Sequence, residues 1–168
     1  MEIYLDIETT SLDADHGPIV AIGLLKNENI DVRFASNTDE EKAIIEWLEN
    51  EINGDTIVTW YGSGFDEPFL VARAAMMGIN LSNFVKAPKL DLCEWSKEHL
   101  KLSKHGLESV AKFFGLSRKI NYRGSDVPAL YRLASSGDEK SKKLIIEHCT
   151  DDLRLLRAIH DKLKPYIM

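Results

Sequence analysis

The chain has 168 residues, of which 44% are hydrophobic and 29% charged, and a net charge of −6. That length can bury a core as one domain over 1–168, and the composition is that of an ordinary globular protein. No apolar run is long enough to span a membrane, and the acidic total excludes a uniformly basic nucleic-acid coat.

Residues 1–8 read as a strand, Met1-Glu2-Ile3-Tyr4-Leu5 running into Asp6-Ile7-Glu8. Gly17-Pro18 marks a turn, and the β-branched run Ile19 to Leu25 predicts a second strand. Ile30 to Ala35 predicts a third, so the first three form an antiparallel meander. Thr38-Asp39-Glu40-Glu41 has the look of a capped helix start, with Ala43, Ile44, Trp47, Leu48 and Ile52 at helical spacing behind it. Thr56 to Trp60 predicts a short buried strand, Pro68 the start of a helix, and Lys89 to Leu92 a last strand. The remainder reads as helical: Leu107 to Phe114 closed by Gly115, Val127 to Leu133, and a long helix from Lys140 to Leu163. This order predicts an α/β domain in which a mixed β-sheet, an antiparallel meander plus parallel strands, is flanked by α-helices.

Three acidic segments carry the chemistry. Alternation along the first strand puts Asp6 and Glu8 on one face. Paired carboxylates repel, and a bridging cation relieves them; oxygen donors suit Mg²⁺ or Mn²⁺ better than zinc. Asp66 lies in Trp60-Tyr61-Gly62-Ser63-Gly64-Phe65-Asp66-Glu67-Pro68, where it also fits a helix cap. The glycines lack the Walker spacing and its Lys. In the last helix His148 and Asp152 stand one turn apart on one face. An imidazole beside an acid can handle the proton of a water. Asp151 adjoins, but Asp152 borders the apolar stripe of Leu144, Leu156 and Ile159 more closely.

Cys93 and Cys149 have no motif spacing, which argues against both a disulfide framework and a zinc finger and leads us to expect a cytoplasmic location. The chain opens directly on a strand containing Glu2, so no signal peptide is expected. Residues 86–143 hold 13 Lys and Arg against 7 Asp and Glu, while the remainder carries 8 against 20. A basic stretch in an acidic chain suits either a local phosphate-binding edge or a set of solvated helix faces.

Taken in order, these segments resemble the DEDD superfamily of 3′–5′ exonucleases, which have the ribonuclease H-like fold. Asp6-Ile7-Glu8-Thr9-Thr10 is similar to the first exonuclease motif, Phe65-Asp66-Glu67-Pro68-Phe69-Leu70 to the second, and His148 through Asp152 to the third. Leu102 through Ala111 resembles the helix entry of this group, and the match covers nearly the whole chain. Two positions depart from the pattern. Tyr61 replaces the usual asparagine five residues before the second-motif Asp, and His148 stands at the spacing normally held by tyrosine.

The resemblance implies two-metal hydrolysis of phosphodiester bonds at the 3′ end of single-stranded DNA or RNA. Asp6 would bridge two divalent cations, Mg²⁺ or Mn²⁺, with Glu8 and Asp152 completing one site and Asp66 the other. His148 would orient or deprotonate the water. Trp60, Tyr61, Phe65, Lys101, Lys104, Arg118, Lys119 and Arg123 are candidates to hold the strand end. Asp6-x-Glu8-x-Thr10 also resembles the nucleophile motif of haloacid-dehalogenase phosphatases, but Glu8 replaces the second Asp and the later acid pair falls in a helix. The remaining alternative is a catalytically degenerate module of the same fold that binds nucleic acid or protein.

Overall fold

A computed structural model describes residues 1–168. Its sheet has five strands in the order β3-β2-β1-β4-β5. These are β1 (Glu2–Thr9), β2 (Ile19–Lys26), β3 (Asn29–Phe34), β4 (Thr56–Thr59) and β5 (Lys89–Asp91). The first three form the expected antiparallel meander, whereas β4 and β5 run parallel to β1. Helix α1 (Thr38–Glu51) joins β3 to β4, and α2 (Asp66–Met77) and the short α3 (Ser82–Lys86) join β4 to β5. Then follow α4 (Leu92–His99), α5 (Leu107–Phe113), a 3₁₀ turn at Gly124–Asp126, α6 (Val127–Ser135) and α7 (Glu139–Leu163). No helix is long and apolar enough to cross a membrane.

Alternation in β1 divides the core. Ile3, Leu5 and Ile7 point to one face and pack with Ile44, Ile45, Leu48, Leu70 and Phe84 of α1, α2 and α3. Tyr4 points to the other face, against Leu92, Val110, Cys149, Leu153 and Ile159. Asp6 and Glu8 share Tyr4's face by register, so they meet α7. Two hydrogen bonds pin α7 along β1: the Tyr4 hydroxyl lies 2.8 Å from His160 Nδ1, and Glu8 Oε1 lies 2.5 Å from His148 Nδ1. Gly23, paired with Asp6 across the sheet, lets the helix come close. A Cβ there would lie 2.5 Å from Cys149 Sγ.

Several boundaries differ from the sequence expectation. Leu92 does not extend the last strand but opens α4, because Asp91 accepts hydrogen bonds from the Cys93 and Glu94 amides and caps that helix. Helix α2 starts at Asp66, before Pro68, which its first turn accommodates. The cap of α1 is Asn37, whose side chain accepts from the Glu40 amide, and Trp60 lies beyond the end of β4.

Candidate active site

The site forms where β1 outruns its neighbour. Pairing with β4 ends at Tyr4↔Val58, so the following stretch of β1 has backbone groups that no parallel strand takes up. The Ile7 amide donates instead to Asp66 Oδ1 at 3.2 Å. This bond ties the first turn of α2 to the strand and turns Asp66 toward the face that carries Asp6 and Glu8. A bulge at Glu8/Thr9 marks the same place in the β1–β2 pairing. Such openings at the carboxyl ends of parallel strands are where ligands bind in α/β sheets.

The result is a cleft of about 800 Å³ lined by Asp6, Glu8, Asp66, His148 and Asp152, together with Trp60, Tyr61, Phe65, Arg118 and Arg123. Lys101, Lys104 and Lys119 do not line it. Glu8, His148 and Asp152 each present a ligand atom, all within 4.8 Å of one another; Asp6, Glu8 and Cys149 form a second such group. Cys149 escaped the sequence reading because only the fold sets its thiol against the Asp6 carbonyl, 3.7 Å away.

Electrostatically the acids are expensive as they stand. Burial, then the charges of Asp152, Glu8 and Asp66, hold the Asp6 carboxyl well above the usual carboxylate range. Burial pushes Asp66 up to about 7, although the Ile7 amide works against it. Burial also raises Glu8 and Asp152, against the opposing pull of His148 on both and of Arg118 on Asp152. For His148, burial disfavours the charge, but the hydrogen bond and charge of Glu8, helped by Asp152, raise the imidazole above its ordinary value. Asp6 Oδ2 is buried with no hydrogen-bond partner. An unpartnered buried oxygen among mutually repelling carboxylates fits a divalent cation held by hard donors.

The two neighbouring acids of α7 take different partners. Asp151 is the more buried, 2% exposed. It accepts from the Lys119 amide at 3.3 Å and lies 3.5 Å from Arg118 Nη1, which holds the loop after α5 to the helix. Asp152 turns into the cleft, 3.7 Å from His148 Nδ1 and 2.5 Å from Arg118 Nη1. The expectation that Asp152 borders the apolar stripe more closely is thus corrected: Asp151 is the more buried acid, held by Arg118 and the Lys119 amide, while Asp152 is the one that lines the cleft.

Asp91 was legible only as part of a strand, yet from behind the cleft it holds Tyr61, one of the lining residues, in place. Besides capping α4 it accepts from the Tyr61 amide at 2.9 Å, the Ser63 amide at 3.1 Å and the Ser63 hydroxyl at 2.5 Å. These bonds hold Tyr61 at a φ of 59°, a left-handed conformation uncommon for a bulky residue. Gly64 is required beneath it, because a Cβ there would lie 2.3 Å from the Tyr61 ring. The spacing Asp91-Leu92-Cys93-Glu94 was the available signal, since an Asp three residues before a Glu is a helix-start pattern.

The chain is similar to known proteins over nearly its whole length. The family model described as the RNase_H superfamily matches residues 3–164. Over 99% of its length the chain is 25% identical to DNA polymerase 2 of Aeropyrum pernix, of which it covers 22%. It also resembles the structure of the family B DNA polymerase from the hyperthermophilic archaeon Pyrobaculum calidifontis, with a TM-score of 0.84 and 21% identity, over 98% of this chain and 24% of that one. At that identity the structural likeness establishes the fold alone. The chain thus spans under a quarter of the length of either polymerase. A mixed sheet with an antiparallel meander and two further parallel strands agrees with the family match over nearly the whole length: the chain belongs to the ribonuclease H superfamily.

Proposed function

We propose that the chain is a metal-dependent 3′–5′ exonuclease of the DEDD type, acting on single-stranded nucleic acid. The observation that carries the reading is the convergence of Asp6, Glu8, Asp66 and Asp152, from three separated segments, in one open cleft with aromatic and cationic walls. Superfamily membership supports nuclease chemistry, and similarity to two DNA polymerases makes DNA the first substrate to test.

Asp6, Glu8 and Asp152 would hold one divalent cation, and Asp6 with Asp66 a second. Bound there, such ions supply a water acidified for attack and neutralise charge on the leaving oxygen. The chain's own residues do the rest. His148, through Nδ1, fixes the orientation of Glu8. It thereby serves the site first as a positioning residue, and the general-base role implied by the resemblance must be carried by its other ring nitrogen. Tyr61 and Phe65 offer ring faces to a terminal base, and Arg118 and Arg123 offer charge to phosphates. None of these contacts reads sequence.

The test uses single strands of DNA and RNA labelled at either the 3′ or the 5′ end, incubated with Mn²⁺ or with EDTA. Label released from the 3′ end in Mn²⁺ and not in EDTA is the expected result. Asp6→Asn should lose the activity while its circular dichroism is retained. Oligonucleotide bound without products in Mn²⁺ would assign the chain to the degenerate binding modules instead, and full activity in EDTA would remove the metal from the mechanism.

A further inference from the structure

We infer that Arg118 is an exchangeable counter-ion: its guanidinium neutralises Asp152 until a divalent cation takes that carboxylate, and it then binds a backbone phosphate of the strand. The inference rests on the nuclease reading and says how the same cleft admits its phosphate.

Arg118 follows α5, and its largely buried side chain faces three acids. Nη1 lies 2.5 Å from Asp152 Oδ1 and 3.5 Å from Asp151 Oδ2, and Nε lies 3.6 Å from Glu108 Oε2. The contact with Asp152 is the shortest of the three, and both the charge and the hydrogen bond of Arg118 act on that carboxyl. Asp152 also belongs to the cluster whose ligand atoms all lie within 4.8 Å. A cation at that cluster and Arg118 compete for one carboxylate. A divalent ion has twice the charge and prefers oxygen ligands, so it wins the exchange.

His148 differs in kind. It is 4% exposed and hydrogen-bonded to Glu8, so it stays where it is. Once released by Asp152, Arg118 remains tethered to the cleft wall by Asp151 and Glu108. Its planar fork of donors suits phosphate oxygens. The arrangement imposes an order: while Asp152 lacks a metal, Arg118 is occupied, and the unneutralised acids repel the strand.

The experiment measures Mn²⁺ binding to the full chain by calorimetry, without nucleic acid, for the wild type, Arg118→Met and Arg123→Met. Removing a competing charge at contact distance should tighten Mn²⁺ binding roughly five- to tenfold in Arg118→Met. Arg123, on the same wall but outside this ion-pair group, should change it less than about twofold when replaced. In Ca²⁺, anisotropy of a labelled DNA single strand should show weaker binding to Arg118→Met, with Arg118→Lys between it and the wild type. The wild type supplies a readout that does not depend on any variant folding: titration with Mg²⁺ should move the Arg118 Nε–H resonance in step with saturation of the acids. An Arg118 resonance indifferent to Mg²⁺, or an Arg118→Met protein with unchanged Mn²⁺ affinity, overturns the exchange while leaving the nuclease reading intact. Conversely, a protein that never cuts DNA yet shows both the Mg²⁺-linked resonance and the tightened Mn²⁺ binding fails as a nuclease and keeps the exchange.

Discussion

Asp66 shows how a side chain proposed as a metal ligand can cost stability while no metal is bound. Its Oδ1 accepts the Ile7 amide, yet burial lifts the carboxyl to about 7. An unfolded Asp ionises near pH 4. Between those values the native state holds a proton that the unfolded state has released, so stability falls as pH rises through the window. Above pH 7 the folded protein carries the buried charge, and without metal nothing cancels it. Asp66→Asn keeps the acceptor for Ile7 and removes the charge. Calorimetry in EDTA at pH 8 should therefore show a Tm raised by roughly 3–8 °C, since about 1 kcal/mol moves Tm by about 2–4 °C at this size. At pH 5 the gain should largely disappear, because the native carboxyl is already protonated there. A lowered Tm at pH 8, or a gain independent of pH, contradicts the assignment. The same substitution should weaken metal binding, which separates the two roles of the residue.

At the level of elements, the site depends on how closely α7 approaches β1. Gly23 sets that distance: a Cβ would meet Cys149 Sγ at 2.5 Å and Leu153 Cδ1 at 2.8 Å. Gly23→Ala should cost about 1–3 kcal/mol as an overpacked core does. It should also move His148 and Asp152 away from Glu8, lowering Mn²⁺ affinity by about 10-fold or more, the scale of a disturbed outer shell. Cys149→Ala in the same chain should restore part of both losses by making room; a Gly23→Ala protein as stable and as metal-competent as the wild type would place the control elsewhere. The strand acids were legible because alternation is a local rule, and so was the one-turn pairing of His148 with Asp152. Helices α3 (Ser82–Lys86) and α4 (Leu92–His99) were not, because each spans too few turns for a helical period to stand out from the neighbouring strand pattern. What remained hidden was long-range: Asp91 reaching back to Tyr61 and Ser63, Arg118 bridging two adjacent acids, and Gly23 reading as an ordinary strand residue until a helix lies across it.

For the whole molecule the decisive quantity is where the charge sits. The chain is acidic overall, and the basic stretch 86–143 sends only Arg118 and Arg123 to the cleft, while Lys101, Lys104 and Lys119 lie off it. The cleft floor is a set of carboxylates that repel a phosphate backbone. Binding of a single strand should therefore require a divalent cation and rest on few ionic contacts. In Ca²⁺, with about two to four phosphates engaged, the slope of log K against log salt should be roughly −1.4 to −2.8, at about 0.7 per phosphate on single strands. Arg123→Met should reduce its steepness by about 0.7 and weaken binding alike for every sequence, since a phosphate contact carries no base information. In EDTA the wild type should bind far more weakly, because the acids are then uncompensated and Arg118 is engaged by Asp152. Lys101→Gln or Lys104→Gln should leave the slope unchanged. Anisotropy across a salt series decides the matter. Tight binding in EDTA, or a slope of −5 or steeper that falls when Lys101 or Lys104 is neutralised, would place the strand on the basic outer surface and leave the cleft without its proposed occupant.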